Sequence, residues 1–158
     1  MYSVLLVDDE IWSLDGLRML FDWDKMGFHV IDQVTDSSEA FDIIRSTKPD
    51  VVFTDIRMPE ISGIELLSMS RQEGIASEFV IISGFAEFEY AQDALRFGAF
   101  DYHLKPIDPD MALPLLEKLK LRLQQKEIER SMNIYKELTL GLSNSLEILK
   151  TNHFVPSG

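Results

Sequence analysis

Five short apolar runs, VLLV (4–7), FHVIDQV (28–34), VVFT (51–54), FVIIS (79–83) and FDYHL (100–104), recur along the chain, separated by segments of helical period. Nothing else in the sequence restricts the fold as much. Runs of this length, rich in β-branched and aromatic residues, read as strands, whereas the segments near 11–22, 37–47, 61–72 and 86–97 space their apolar residues three and four apart. In the first of these, Leu14, Leu17, Leu20 and Phe21 share one side. Gly27, Lys48-Pro49, Gly74 and Gly98 punctuate the ends of elements. Strands that each lead into a helix predict parallel pairing through right-handed crossovers, with helices on both faces. The expected class is therefore α/β, a doubly wound parallel sheet of five strands.

The chain has 158 residues, 46% hydrophobic and 27% charged, enough for one buried core and an appendage. It has no apolar run long enough to span a bilayer, and Met1-Tyr2-Ser3 passes straight into VLLV, too short for a signal core. A cytoplasmic protein without a membrane partner is expected. Cysteine is absent, which excludes a disulfide scaffold and a thiolate metal site. The net charge of -12 is uneven: residues 1–120 hold 10 basic and 23 acidic residues, net -13, and residues 121–158 hold 5 and 4, net +1. Binding to a phosphate backbone needs a basic face, so no nucleic acid is expected to bind this fragment.

In open parallel sheets, functional groups gather at the carboxyl ends of the strands. The first strand ends in Asp8-Asp9-Glu10, the third in Asp55, the fourth in Ser83-Gly84, and the fifth runs into Lys105-Pro106. Three carboxylates, a hydroxyl and an ammonium should then meet in one shallow site. Clustered carboxylates repel one another unless a cation sits among them, and hard oxygen ligands in an open site suit Mg²⁺. A carboxylate in that setting is a plausible nucleophile toward phosphorus, with Lys105 helping to offset the negative charge.

At these residues the chain resembles the receiver domain of a two-component response regulator. The matching pieces are VLLVDDE (4–10), DIRMPEISG (55–63), IISGFAEFEYA (81–91) and GAFDYHLKP (98–106), and the resemblance covers about residues 1–122. It implies a flavodoxin-like sheet of order 2-1-3-4-5. It further implies Asp55 as phosphoacceptor, Asp8, Asp9 and Asp55 as Mg²⁺ ligands together with the backbone carbonyl of Arg57, and Lys105 as the phosphate-pairing lysine. Ser83 would be the switch hydroxyl and Tyr102 the coupled aromatic switch, and the bond to Pro106 would be cis. SGFAEFEYA with RMP looks most like the subgroup whose full-length members end in an AraC-type helix-turn-helix domain, and no such domain follows here.

Each residue also has a plainer reading. Standing alone, Asp8 and Asp9 would cap the first helix, Asp55 would be a turn acid before Pro59, Lys105 a solvated lysine, Ser83 a turn residue, and Tyr102 a packing residue. Phe85, Phe88 and Tyr90 read as packing or partner-facing aromatics. His29, His103 and His153 have neither metal-ligand spacing nor a nucleophile arrangement. DDE rather than a glycine loop follows VLLV, against a nucleotide or flavin site. Haloacid-dehalogenase-like phosphatases need an acid two residues beyond the nucleophile, and that position is Arg57.

A helix is expected from Asp108, with Leu115, Leu116 and Leu119 facing the sheet and Pro114 in or near its first turn. No glycine or proline then occurs between 120 and Gly141, so a helix over about 108–150 continues past the receiver, with a frayed end at 151–158. Read as heptads, Leu121, Ile128, Tyr135, Leu142 and Leu149 fall at d, and Gln125, Met132, Thr139 and Leu146 at a. This predicts a coiled coil, a weak one because the g positions are uncharged; the plainer reading is a lone amphipathic helix.

Together these features predict a phosphorylation-controlled signalling module. It would not be a turnover enzyme, but would accept a phosphoryl group from a sensor histidine kinase. It would pass its state to a transcriptional output domain as a homodimer, through the C-terminal helix or the face from the fourth to the fifth helix. The rival is a receiver-like docking or dimerisation module that is never phosphorylated.

Overall fold

The structure, a computed structural model, describes residues 1–153, with side chains through Lys150. The elements run β1 (Tyr2–Val7), α1 (Ile11–Leu20), β2 (Phe28–Val34), α2 (Ser37–Thr47), β3 (Val51–Thr54), α3 (Gly63–Gln72), β4 (Glu78–Ser83), α4 (Phe88–Arg96), β5 (Asp101–Leu104) and α5 (Pro109–His153). All four strand pairings are parallel, in the order β2-β1-β3-β4-β5. This is the flavodoxin-like, doubly wound sheet.

Strand character follows position in that order. The central β3 and β4 are buried at every residue, because a parallel sheet with helices on both faces gives its inner strands no wet side. Edge strand β2 alternates instead, with Phe28, Val30 and Val34 buried between more exposed neighbours. Its register against β1 shifts between Val4 and Leu5, so that Val4 faces Val30 while Leu5 faces Asp32. Ile31 is thus the extra residue of a bulge, a common way to interrupt a sheet edge. Under α1, Phe21, Trp23, Phe28 and Phe53 form an aromatic cluster with centroids 4.7 to 6.4 Å apart. Leu14, Leu17 and Phe21 of the expected apolar side are buried, while Leu20 is only partly covered.

Caps explain the helix starts. Asp36 accepts from the N–H groups of Ser38 and Glu39 to open α2, and Ser62 accepts from Glu65 N–H to open α3. Asp108 Oδ1 accepts from Asp110 N–H (2.9 Å), and Pro109 takes the first position of α5, where its missing N–H costs nothing. Pro114 is the sixth residue of α5 and so lies in the second turn, beyond the first, where its missing N–H leaves one intrahelical bond unmade.

By packing, the chain divides into residues 1–119 and the segment from Lys120. In the first unit α5 contributes Ala112, Leu115, Leu116 and Leu119 to the core. In the second, α5 runs on to His153, and Leu123 is the one buried residue among the described side chains. Backbone at 151–153, expected to fray, is helical; residues 154–158 lie outside the described residues.

Candidate functional site

Ladder bonds carry the residues that follow β1, β3 and β5 to the same edge of the sheet. Asp8 N–H donates to Val34 carbonyl (3.1 Å), Asp55 N–H to Val7 carbonyl (3.1 Å), and Lys105 N–H to Ser83 carbonyl (2.8 Å). Gly63 fixes the path out of β3. Its N–H donates to the Ile56 carbonyl (2.8 Å), and a Cβ there would lie 2.0 Å from the Asp55 carbonyl oxygen. Only glycine lets α3 start this close to the residue that carries the central carboxylate.

Asp8, Asp9 and Asp55 each offer a carboxylate oxygen, and the three lie within 4.8 Å of one another. Asp8 is 1% exposed, Asp55 half-buried, and Asp9 open to solvent. Lys105 Nζ is 2.7 Å from Asp8 Oδ2 and 3.5 Å from Asp55 Oδ2. Burial raises the Asp55 carboxyl above its ordinary range and the charge of Asp8 raises it further, against the opposing pull of Lys105 and the Ile56 N–H. Burial alone would depress the Lys105 ammonium, but the bond to Asp8 and the charges of Asp8 and Asp55 outweigh it and raise its pKa. Lys105 is thus committed chiefly to Asp8 and leaves Asp55 short of positive charge. An oxygen-only donor set with that deficit fits a hard divalent cation such as Mg²⁺.

Neither Asp8 nor Asp9 caps α1. The N-cap position is Glu10, whose N–H donates to Asp8 Oδ1 (3.0 Å). Ser83 is fully buried, and its Oγ accepts from Phe85 N–H (3.1 Å). The Tyr102 hydroxyl donates to the carbonyl of the same Phe85 (2.7 Å). The Lys105–Pro106 peptide is cis. His103 bonds Asp101 (2.9 Å), His29 is exposed, and the side chain of His153 lies outside the described residues.

The sequence pointed to Arg57 for its carbonyl and for not being an acid, and gave no sign of what its side chain touches. The guanidinium pairs with Glu87 (2.8 Å) and lies over the Phe85 ring at 3.5 Å from its centroid, with Tyr90 at 5.8 Å. Arg57 and Glu87 sit in two different loops, thirty positions apart, and no periodicity connects them.

A doubly wound sheet with three carboxylates and a lysine at its carboxyl edge defines a class of acidic-site signalling domain. Residues 4–117 match the model of the response regulator receiver domain, and the chain belongs to that family. The transcriptional regulatory protein YesN of Bacillus subtilis is 31% identical over 96% of this chain and 39% of its own length. HptR, a transcriptional regulatory protein of Staphylococcus aureus, is 29% identical over 85% of this chain and 52% of its own. The chain thus spans about half or less of these curated relatives. Among solved structures, the receiver domain of AraT, a response regulator from Geobacillus stearothermophilus, is 33% identical with a TM-score of 0.74, over 80% of this chain and 98% of that one. Among the described residues, no helix is long and apolar enough to cross a membrane.

Proposed function

We propose that this receiver accepts a phosphoryl group on Asp55 from the phosphohistidine of a sensor histidine kinase. The observation that carries this reading is the meeting of Asp8, Asp9 and Asp55 within 4.8 Å around a lysine paired with two of them. An Asp55 carboxylate oxygen attacks phosphorus, the N–P bond breaks with its electron pair passing to the imidazole nitrogen, and an acyl phosphate remains. Asp8, Asp9 and Asp55, with the backbone carbonyl of Arg57, would hold Mg²⁺, which when bound supplies positive charge to the phosphoryl oxygens. Lys105 adds a second cation, already positioned by Asp8. Because no substrate turns over apart from the chain's own acyl phosphate, the receiver is a phosphoacceptor and not an enzyme in the ordinary sense.

The phosphoryl group would be read by Ser83, whose hydroxyl must leave Phe85 N–H to reach it, and by Tyr102, whose hydroxyl is bonded to the same residue. The altered face from α4 to α5 and the C-terminal helix would pass the state on through a homodimer. An AraC-type DNA-binding output domain would be the recipient, in the cytoplasm. Support for dimerisation comes from the helix itself, where Leu121, Ile128, Met132, Tyr135, Leu142, Leu146 and Leu149 are all exposed.

The test is incubation with Mg²⁺ and acetyl phosphate followed by intact mass. The expected result is a phosphoryl adduct on the wild type that is missing from Asp55→Asn and from samples stripped of divalent metal. A folded wild type that gains no adduct would sink the reading.

A further inference from the structure

Helix α4 is held by little surface of its own, since only Ala94 of its nine residues is buried, against four of ten in α3. Two arginines act on its ends instead. At the C-terminal end, the partly buried Arg71 of α3 donates to the carbonyls of Phe97 (3.2 Å) and Gly98 (3.2 Å), and is itself tied to the exit of α3 through the Ile75 carbonyl (2.7 Å). Carbonyls past a helix's last turn lack intrahelical donors, and a cation there suits the helix dipole. At the N-terminal end the hold is of another kind. Arg57 reaches across from the β3–α3 loop, pairs with the N-cap residue Glu87, and stacks on Phe85. An exposed ion pair and an exposed cation–ring contact are weak, so this end is the one that opens.

Phe85 is what gives that contact a role. Its N–H occupies the Ser83 oxygen and its carbonyl receives the Tyr102 hydroxyl. We infer that Arg57 is a positioning residue for the phosphoryl site: by holding Phe85 and Glu87 it keeps Ser83 and Tyr102 engaged with the Phe85 backbone, while Arg71 fixes the far end of α4. The inference rests on the reading of Asp55 as phosphoacceptor. A turn of Ser83 about its Cα–Cβ bond that swings Oγ toward a phosphoryl oxygen gives up the bond from Phe85 N–H, and the Arg57 latch adds to the cost of that turn. Loosening the latch therefore raises the population in which Ser83 is free to turn.

The variants are Arg57→Ala, Arg57→Lys and Glu87→Gln in the full chain; each changes only a side chain outside the carboxylates of the site, Ser83 and Lys105, and Glu87→Gln, which leaves Arg57 and the carbonyl it would offer the metal untouched, is the control for an effect on Mg²⁺ itself. Two measurements are made on each. Amide hydrogen exchange at Phe85, with no phosphoryl group present, should quicken about 1.5- to fivefold in Arg57→Ala and Glu87→Gln, the range expected for a weak surface contact. Affinity for beryllium trifluoride with Mg²⁺, a phosphoryl analogue, should tighten by a similar factor in both, with Arg57→Lys in between because an ammonium keeps the charge but not the planar stack.

Opposite signs in Arg57→Ala and Glu87→Gln would mean that Arg57 touches the anion directly, and would overturn the proposal. So would Phe85 exchange that matches wild type in all three. A wild type that binds the analogue, with no difference among variants, removes the positioning role and leaves the Asp55 reading standing. If the wild type takes up neither analogue nor phosphoryl group while the exchange difference persists, the Asp55 reading fails and the positioning role fails with it.

Discussion

Residues 1–119 and the helical segment from Lys120 both carry abundant large apolar side chains, and they use them differently. In the first, Phe28, Phe53 and Phe79 are fully buried; in the second, Tyr135 is 71% exposed and Leu142 66%. Apolar content therefore does not decide whether a segment is self-sufficient. What decides is whether the chain brings a second layer against the apolar face. The sheet has helices on both sides, whereas the helical segment has a stripe that, among the described residues of its own unit, no second element covers. A lone helix in water is only marginally stable, so the proposed self-pairing would matter to this segment in a way it does not to the receiver.

The largest expected effects are in the core of the first unit. Phe53→Ala removes a fully buried ring from the aromatic cluster of Phe21 and Trp23, and should cost about 3–5 kcal/mol in urea unfolding. Next comes Gly63→Ala. The clash of a Cβ placed 2.0 Å from the Asp55 carbonyl oxygen must be relieved by moving backbone, at about 1–3 kcal/mol. It should also slow phosphoryl uptake, because the backbone displaced is that of the proposed acceptor. Arg71→Ala, which leaves three carbonyls without their donor, should cost about 1–3 kcal/mol, and Arg57→Ala less than about 1 kcal/mol. Equal costs for the two arginines would break the distinction between a fixed end and a releasable end of α4.

The carboxylate cluster adds a pH test. Asp55 has a raised pKa because burial and the charge of Asp8 outweigh Lys105. A raised acid stabilises the fold while protonated, and that contribution is lost as pH rises through its folded value. At pH 7 the ionised Asp55 is therefore a net cost, and Asp55→Asn should melt above wild type. The difference should shrink toward zero as pH falls below the ordinary carboxylate range. Lys105 has the opposite consequence. Its raised pKa means that its pairing stabilises through neutral pH and is lost only as pH climbs past the ordinary lysine range. Adding Mg²⁺ should narrow the gap between wild type and Asp55→Asn, because a cation then sits among the carboxylates.

Much of the fold was legible because buried parallel strands are written as contiguous apolar runs. VVFT and FHVIDQV match β3 and β2 at both ends, and α2 matches its expected 37–47 because Asp36 and Lys48-Pro49 mark its limits. The convergence of Asp8, Asp9, Asp55 and Lys105 followed from topology, since each stands at a strand's carboxyl end. Arg57 and Arg71 escaped because their partners are a ring, a distant acid and main-chain carbonyls, none of which leaves a spacing signature. Pro114, expected in or near the first turn of its helix, is the sixth residue of α5, just past that turn. For the helical segment the sequence supplies the stripe and leaves open what covers it.

That last question has the smallest expected effect on the receiver and the sharpest test of the comparison. Replacing Ile128 and Leu142 by Asp puts charge into two d layers that are 60% and 66% exposed. Because neither side chain contributes to the core of residues 1–119, the receiver's unfolding midpoint should move by less than the equivalent of about 0.5 kcal/mol. Light scattering at high concentration should show the wild type associating to a dimer and the double variant remaining monomeric. A wild type that stays monomeric would rule out self-pairing. The a positions allow the opposite manipulation. Gln125 and Thr139 interrupt the apolar stripe, so Ile at both should tighten the dimer, by about tenfold or more on the scale of a buried methyl or two. Tightening without a shift in receiver stability would mean that the two units are energetically separate, and that whatever signal passes between them travels through geometry rather than through shared stability.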